Sequence, residues 1–136
     1  MSGKVFVDTN IFVYAADTAD NARRQAARLA LARLRQEHGV VSTQVMQECY
    51  ACLTSKLRLP PLAARAIVQS MGRFEVVTLD AAAIETAIDI HILHPLSFWD
   101  ALLFAAAERA GCQTLWTEDM SPGQVVRGVR IVNPLL

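Results

Sequence analysis

Glycine is scarce in this chain, with six in 136 residues, and none falls in a G-x-G-x-x-G or G-x-x-x-x-G-K run. The phosphate-cradling loops of dinucleotide- and nucleotide-binding domains are therefore missing. Lysine is scarcer: only Lys4 and Lys56. A phosphotransfer receiver domain would want one late in the chain. A haloacid-type phosphatase would want Asp-x-Asp after the first strand, where Asn10 stands in place of the second acid. The three cysteines (Cys49, Cys52, Cys112) are odd in number and too few for a disulfide scaffold. Cys49 and Cys52 form a C-x-x-C, but it falls mid-helix and has no second pair, so all three read as small buried hydrophobes. Long apolar runs are also missing. The longest stretches without Asp, Glu, Lys or Arg are ten residues, for example 90–99, whereas a membrane span needs ~20. Met1-Ser2-Gly3-Lys4 runs straight into Val5, with no secretory signal pattern. The expected compartment is the cytoplasm.

With 53% hydrophobic and 19% charged residues, the chain has the content of a folded core, not of disorder. Its length fits one domain spanning 1–136. Net charge is zero, but residues 1–75 hold 10 of the 13 bases and 76–136 hold 7 of the 13 acids.

Short apolar runs and helical periodicities alternate along the chain. Strands are expected at 5–7, 39–42, 75–78, 114–117 and 129–132. Helices are expected from Ile11, then over 20–37, 43–58, 61–71, 81–93 and 98–110, bounded by cap residues, by Pro60-Pro61 and Pro95, and by Gly72 and Gly111. The inward stripes read as Ala22, Ala26, Leu29, Ala30 and Leu34 on the second helix and Ile84, Ala87, Ile88 and Ile92 on the fifth. No hairpin dipeptide separates the strands, so the class is α/β with a mostly parallel sheet of about five short strands.

Open parallel sheets place their working crevice beyond the carboxyl ends of the strands. Asp8 ends the first strand and Glu118-Asp119 follow the fourth. Asp100 opens a helix, and Glu48 lies in the second turn of the helix after strand two. Asp8 and Asp100 can each act as helix caps, and Glu118-Asp119 as a solvated turn. Glu48 shares a helix face with Val45 and Cys52, where a carboxylate must be paired, protonated or metal-bound. Together the acids repel one another, and hard divalent cations relieve that repulsion.

Four ordered segments, Val5-Phe6-Val7-Asp8-Thr9-Asn10, Ser42-Thr43-Gln44-Val45-Met46-Gln47-Glu48, Ser97-Phe98-Trp99-Asp100-Ala101 and Thr117-Glu118-Asp119-Met120, resemble the PIN-domain ribonucleases. Within them the closest likeness is to the VapC-type toxins of toxin–antitoxin pairs. The tail from Gly128 to Pro134 is similar to family endings. The resemblance implies a three-layer αβα sandwich and a Mg²⁺- or Mn²⁺-dependent endoribonuclease toxin that cuts tRNA- or rRNA-class molecules with an activated water. It implies an acidic quartet of Asp8, Glu48, Asp100 and Asp119 as catalytic residues and metal ligands, with Glu118 the alternative to Asp119. Thr9 and Asn10 would orient Asp8 or meet substrate, and Ser97, Thr117 and Glu118 would support the ligands. It also implies a homodimer and an antitoxin that blocks the site. The alternative is a domain of the same fold that binds RNA or protein without catalysis.

Arg24, Arg28 and Arg35 fall within about 40° on one helix face and form a candidate RNA-contacting stripe. Lys56, Arg58, Arg65 and Arg73 are further candidates. His91 and His94 lie three apart but have no acid placed with them. Trp99 reads either as core or as a surface for stacking a base. Helices 43–58 and 61–71 carry more apolar side chains than one domain is expected to bury, which points to a partner surface.

Overall fold

The computed structural model describes residues 3–34 and 36–136. Six strands form one sheet: β1 (Lys4–Val7), β2 (His38–Ser42), β3 (Glu75–Val77), β4 (Thr114–Trp116), β5 (Val125–Val126) and β6 (Val129–Val132). Six helices connect them: α1 (Thr9–Ala16), α2 (Asn21–Arg33), α3 (Thr43–Ser55), α4 (Pro61–Ser70), α5 (Ala81–Leu93) and α6 (Phe98–Arg109). The strand order is β3-β2-β1-β4-β6-β5, parallel throughout except for β5 against β6.

Right-handed crossovers decide the layers. The steps β1→β2→β3 run toward one edge, so α1–α4 cover one face. The step β3→β4 runs back past β2 and β1, so α5 and α6 cover the other. α6 accordingly packs on β2, β4 and β6. The result is the three-layer α/β sandwich. Strand order reverses between β1 and β4, and the crevice opens at that switch point.

Caps account for most helix starts. Ser42 Oγ accepts from the Val45 amide, Asp80 Oδ1 from Ala83 and Ser97 Oγ from Asp100, while Pro61 opens α4. The core is continuous, centred on Phe6, Val7, Ile11, Val40, Val41, Phe104, Leu115 and Ile131, all essentially inaccessible.

The structure departs from the sequence expectations in four places. The sixth strand, β5, is only two residues long, too short for an alternation pattern. A two-residue turn joins it to β6, with φ of 52° at Arg127 and 81° at Gly128. That is the type I′ hairpin geometry, although Arg replaces the usual Asn or Asp at its first position. On α2 the buried residues are Ala27, Ala30 and the capping Leu34, while Ala22 is exposed and Leu29 is 70% exposed. On α5 the buried residues are Ala83, Ala87 and Ile90, and Ile84, Ile88 and Ile92 face outward. α5 packs mainly on the alanine-rich α6, and small side chains on both surfaces let the two axes approach closely. The largest group of exposed apolar side chains lies on α5; along 43–58 and 61–71 Tyr50 and Leu62 are exposed, while Val45, Leu53 and Met71 are buried and Met46, Leu57, Ile67 and Val68 are partly so.

Candidate metal and active site

A pocket of about 890 Å³ opens at the switch point, and Asp8, Glu48, Asp100 and Asp119 all line it. They come from the end of β1, the middle of α3, the first turn of α6 and the loop after β4. The fold thus gathers four acids from positions 8, 48, 100 and 119 onto one concave surface.

Asp8 is the anchor, at 7% exposure. Its backbone amide extends the sheet by donating to Trp116 O at 3.0 Å. Its Oδ1 accepts the Thr9 amide at 2.7 Å and so caps α1. Its Oδ2 accepts from Thr117 Oγ1 at 2.9 Å. The capping and site roles thus coincide in one side chain. Burial raises the Asp8 carboxyl to about 6, against the lowering pull of its two hydrogen bonds, and the charges of Glu48 and Asp119 push it up further.

Thr117 is fully buried and joins the two central strand ends. Besides donating to Asp8, its hydroxyl accepts from Asn10 Nδ2 at 3.1 Å and from the Asp119 amide at 3.1 Å. Asn10 Nδ2 also donates to Asp119 Oδ2 at 2.9 Å, and Asn10 Oδ1 accepts from the Glu118 amide at 3.4 Å. Asn10 and Thr117 therefore hold Asp119 toward the pocket. Glu118 turns the other way, accepting from Tyr14 Oη at 3.0 Å and Arg23 Nε at 3.1 Å. The two adjacent acids occupy different surroundings, and only Asp119 lines the pocket.

Asp100 follows from the cap of α6. Ser97 Oγ accepts its amide, which points the first turn at the pocket. Partial burial raises the Asp100 carboxyl, the Ser97 contact opposes this, and the charge of Asp119 adds to the rise. Ser97 itself is exposed and does not line the pocket; its place is at the helix cap.

Glu48 shares the pocket-facing side of α3 with Cys52, as expected, but not the buried side with Val45. Val45 and Cys49 take the buried face, and Glu48 lies on the exposed wall of the pocket. Gln44, one turn earlier, donates its Nε2 to Glu48 Oε1 at 2.8 Å and to Trp99 O at 3.1 Å. Gln44 thereby ties α3 to the start of α6. The i, i+4 spacing from Glu48 was the available sequence signal for it.

No three His, Cys, Asp or Glu side chains among the described residues stand close enough to share an ion. The donor chemistry nonetheless fits a hard divalent cation. Every candidate ligand is an oxygen, Asp8 and Asp100 are raised chiefly by burial and further by neighbouring carboxylates, and two buried oxygens of pocket-lining residues, Thr9 Oγ1 and Gln44 Oε1, have no hydrogen-bond partner.

The arginine stripe does not line this pocket. Arg24 bonds Asn21, and Arg28 bonds Ala15 O and lines a separate hollow of about 490 Å³ with His38, Arg73 and Glu75. Arg35 lies outside the described residues. The cation that does line the acidic pocket is Lys56. Cys49 and Cys112 are buried thiols raised by burial to about 11 and about 12. His91 is exposed and contacts Leu96 O through Nδ1, away from the acids.

The fold is similar to several solved structures. VapC20 of Mycobacterium tuberculosis, a sarcin-ricin loop cleaving toxin, matches with TM-score 0.67 at 24% identity over 85% of this chain and 91% of that one. VapBC2 from Rickettsia felis, bound to a promoter DNA fragment, gives 0.68 at 15% identity over 96% and 98%. A toxin–antitoxin complex from Klebsiella pneumoniae gives 0.68 at 17% identity over 96% and 97%. No curated protein matches the sequence. The family model for the PIN domain matches residues 5–125, which include Asp8, Glu48, Asp100 and Asp119, and the chain belongs to the PIN domain family.

Proposed function

We propose that this protein is a divalent-metal-dependent endoribonuclease, a VapC-type toxin that cuts cellular RNA of the tRNA or rRNA class and is silenced by a cognate antitoxin. The observation that carries the reading is the convergence of Asp8, Glu48, Asp100 and Asp119 on one pocket at the switch point. Asp8, Asp100 and Asp119 are the proposed Mg²⁺ or Mn²⁺ ligands, and Glu48 completes the set from α3. A divalent cation bound there supplies positive charge to the scissile phosphate and lowers the pKa of an attacking water. The chain's own residues do the positioning. Thr117 and Asn10 hold Asp8 and Asp119, Ser97 aims Asp100, and Gln44 fixes Glu48. No side chain need act as nucleophile: water attacks the phosphorus, the 3′ oxygen leaves and takes up a proton, and the products carry a 5′-phosphate and a 3′-hydroxyl.

The apolar half of the pocket, lined by Val13, Leu57, Leu59 and Leu103, is suited to an inhibitory segment of a partner protein. The similar structures that are toxin–antitoxin complexes support that partner. The outward isoleucines of α5 are the proposed face for a second copy of the chain. Ile88→Lys should then convert a dimer to a monomer in sedimentation. No helix among the described residues is long and apolar enough to cross a membrane, and the proposed site of action is the cytoplasm, where the RNA is.

The test is cleavage of total cellular RNA by antitoxin-free protein in Mg²⁺ or Mn²⁺, with EDTA and Asp100→Ala as controls. Discrete fragments lost in both controls are expected. A 2′,3′-cyclic phosphate end would overturn water attack. Bound but intact RNA, with folded and metal-loaded protein, would favour the alternative of a catalytically inactive RNA-binding domain.

A further inference from the structure

Lys56 and Trp99 lie at opposite ends of the acidic pocket. Gln44 Nε2 donates to Trp99 O, which puts Trp99 beside the N-terminal turn of α3. Lys56 caps the other end of the same helix. Twelve residues at ~1.5 Å each separate Gln44 from Lys56 by about 18 Å, with Glu48 between them. Both Trp99 and Lys56 line the pocket that holds the carboxylates.

Each is unusual for its place. Trp99 is 65% exposed, with its ring packed edge-on against Phe98 at 5.3 Å. A large aromatic left open at the rim of a charged pocket gains nothing from burial and is available for stacking. Lys56 lines the same pocket as five carboxylates, the four above and Asp17, yet has no ion-pair partner among the described residues. A free ammonium at the far end of an acidic groove is placed for a phosphate that has passed the acids.

We propose that the groove holds a single-stranded RNA segment, with an unpaired base stacked on Trp99 and a phosphate further along the strand bound by Lys56. This rests on the ribonuclease reading. A base inside a duplex has both faces stacked on its neighbours and offers none to the indole, so the geometry selects loops and ends over duplex. Trp99 and Lys56 touch substrate away from the bond that breaks. They set where the strand lies and so which bond reaches the acids.

The second tryptophan, Trp116, is 6% exposed, so intrinsic fluorescence reports mainly on changes at Trp99. The experiment titrates a short unpaired oligoribonucleotide into Asp119→Asn protein, following fluorescence and, separately, anisotropy of labelled RNA. It also measures wild-type cleavage of the same RNA. Quenching on binding is expected. Trp99→Leu should weaken binding about 5- to 100-fold, with Trp99→Phe in between. Lys56→Gln, at an exposed site that does not threaten folding, should weaken binding and lower the log–log salt slope by about 0.7. In otherwise active protein both substitutions should raise KM more than they lower kcat.

Binding seen by anisotropy without quenching, or KM values unchanged in both variants while wild type still cuts, would overturn the proposal and leave the ribonuclease reading standing. So would equal binding of a blunt duplex. Loss of a dimer in Trp99→Leu would assign the indole to an interface between copies instead. Failure of wild type to cut or bind any RNA would remove the ribonuclease reading itself.

Discussion

Asp8 Oδ1 starts α1 by accepting the Thr9 amide, while burial holds the same carboxyl up at about 6, against an ordinary value of 3.8. Between those two values the folded chain keeps a proton that the unfolded chain releases. Metal-free stability therefore falls as pH rises through that window, by about 3 kcal/mol at most. Asp8→Asn should raise the stability of metal-free protein at pH 8 by about 1–3 kcal/mol, give no gain near pH 4, and abolish cleavage. Urea melts at the two pH values check this. Divalent cation should stabilise wild type at pH 8 and not the variant. Thr117→Val removes the hydroxyl shared by Asp8, Asn10 and Asp119 and should cost about 1–3 kcal/mol, with Thr117→Ser restoring most of it. Asp8 and Asp100 were legible because each follows a strand or a cap signal in sequence. The direction of Glu118 and Asp119 was not, since it depends on Tyr14 and Arg23 waiting at the side of α1 and α2. The helix of Glu48 and its side shared with Cys52 are legible in sequence, but its exposure is not, because periodicity does not say where a pocket interrupts the buried stripe.

Elements with strong punctuation were readable. α4 begins at Pro61, α6 at Phe98 behind its Ser97 cap, as their signals require, and α5 spans 81–93. The β5–β6 hairpin was not readable. Its strand is two residues long, and its first turn residue is an arginine held in the left-handed region. That arginine forms a forked pair with Glu108, at 2.9 and 3.0 Å. Gly128→Ala should destabilise the protein by about 1–2 kcal/mol by forcing a Cβ into the same region, measurable as a lower melting temperature. The misread faces of α2 and α5 share one cause. Hydrophobicity ranks isoleucine and leucine above alanine, but a helix that packs closely on another places alanine at the contact. Gly39 shows the same pressure within a strand: a Cβ there would sit 2.5 Å from the Phe74 ring, which also packs against Phe12. Gly39→Ala should therefore cost about 1–3 kcal/mol.

Across the molecule the two ends of the sheet differ in kind. The carboxyl ends of the strands carry the acidic pocket. The amino ends carry an exposed cluster in which Lys4 Nζ and His38 Nε2 both lie 2.9 Å from Glu75 Oε1. Exposed pairs of this sort contribute little. Lys4→Ala should leave RNA cleavage unchanged and shift the melting temperature only slightly. The fold class followed from alternation alone, but the strand order did not. Nothing in sequence says that β4 inserts beside β1 rather than beyond β3. That insertion sets a timetable for synthesis. β4 and Asp119 are made after Asp8, Glu48 and Asp100, and until they emerge β1 lacks its central neighbour and Asp8 lacks Thr117. A partly made chain can carry Asp8, Glu48 and even Asp100 without having a site. The proposed nuclease site is therefore complete only once β4 has joined the sheet.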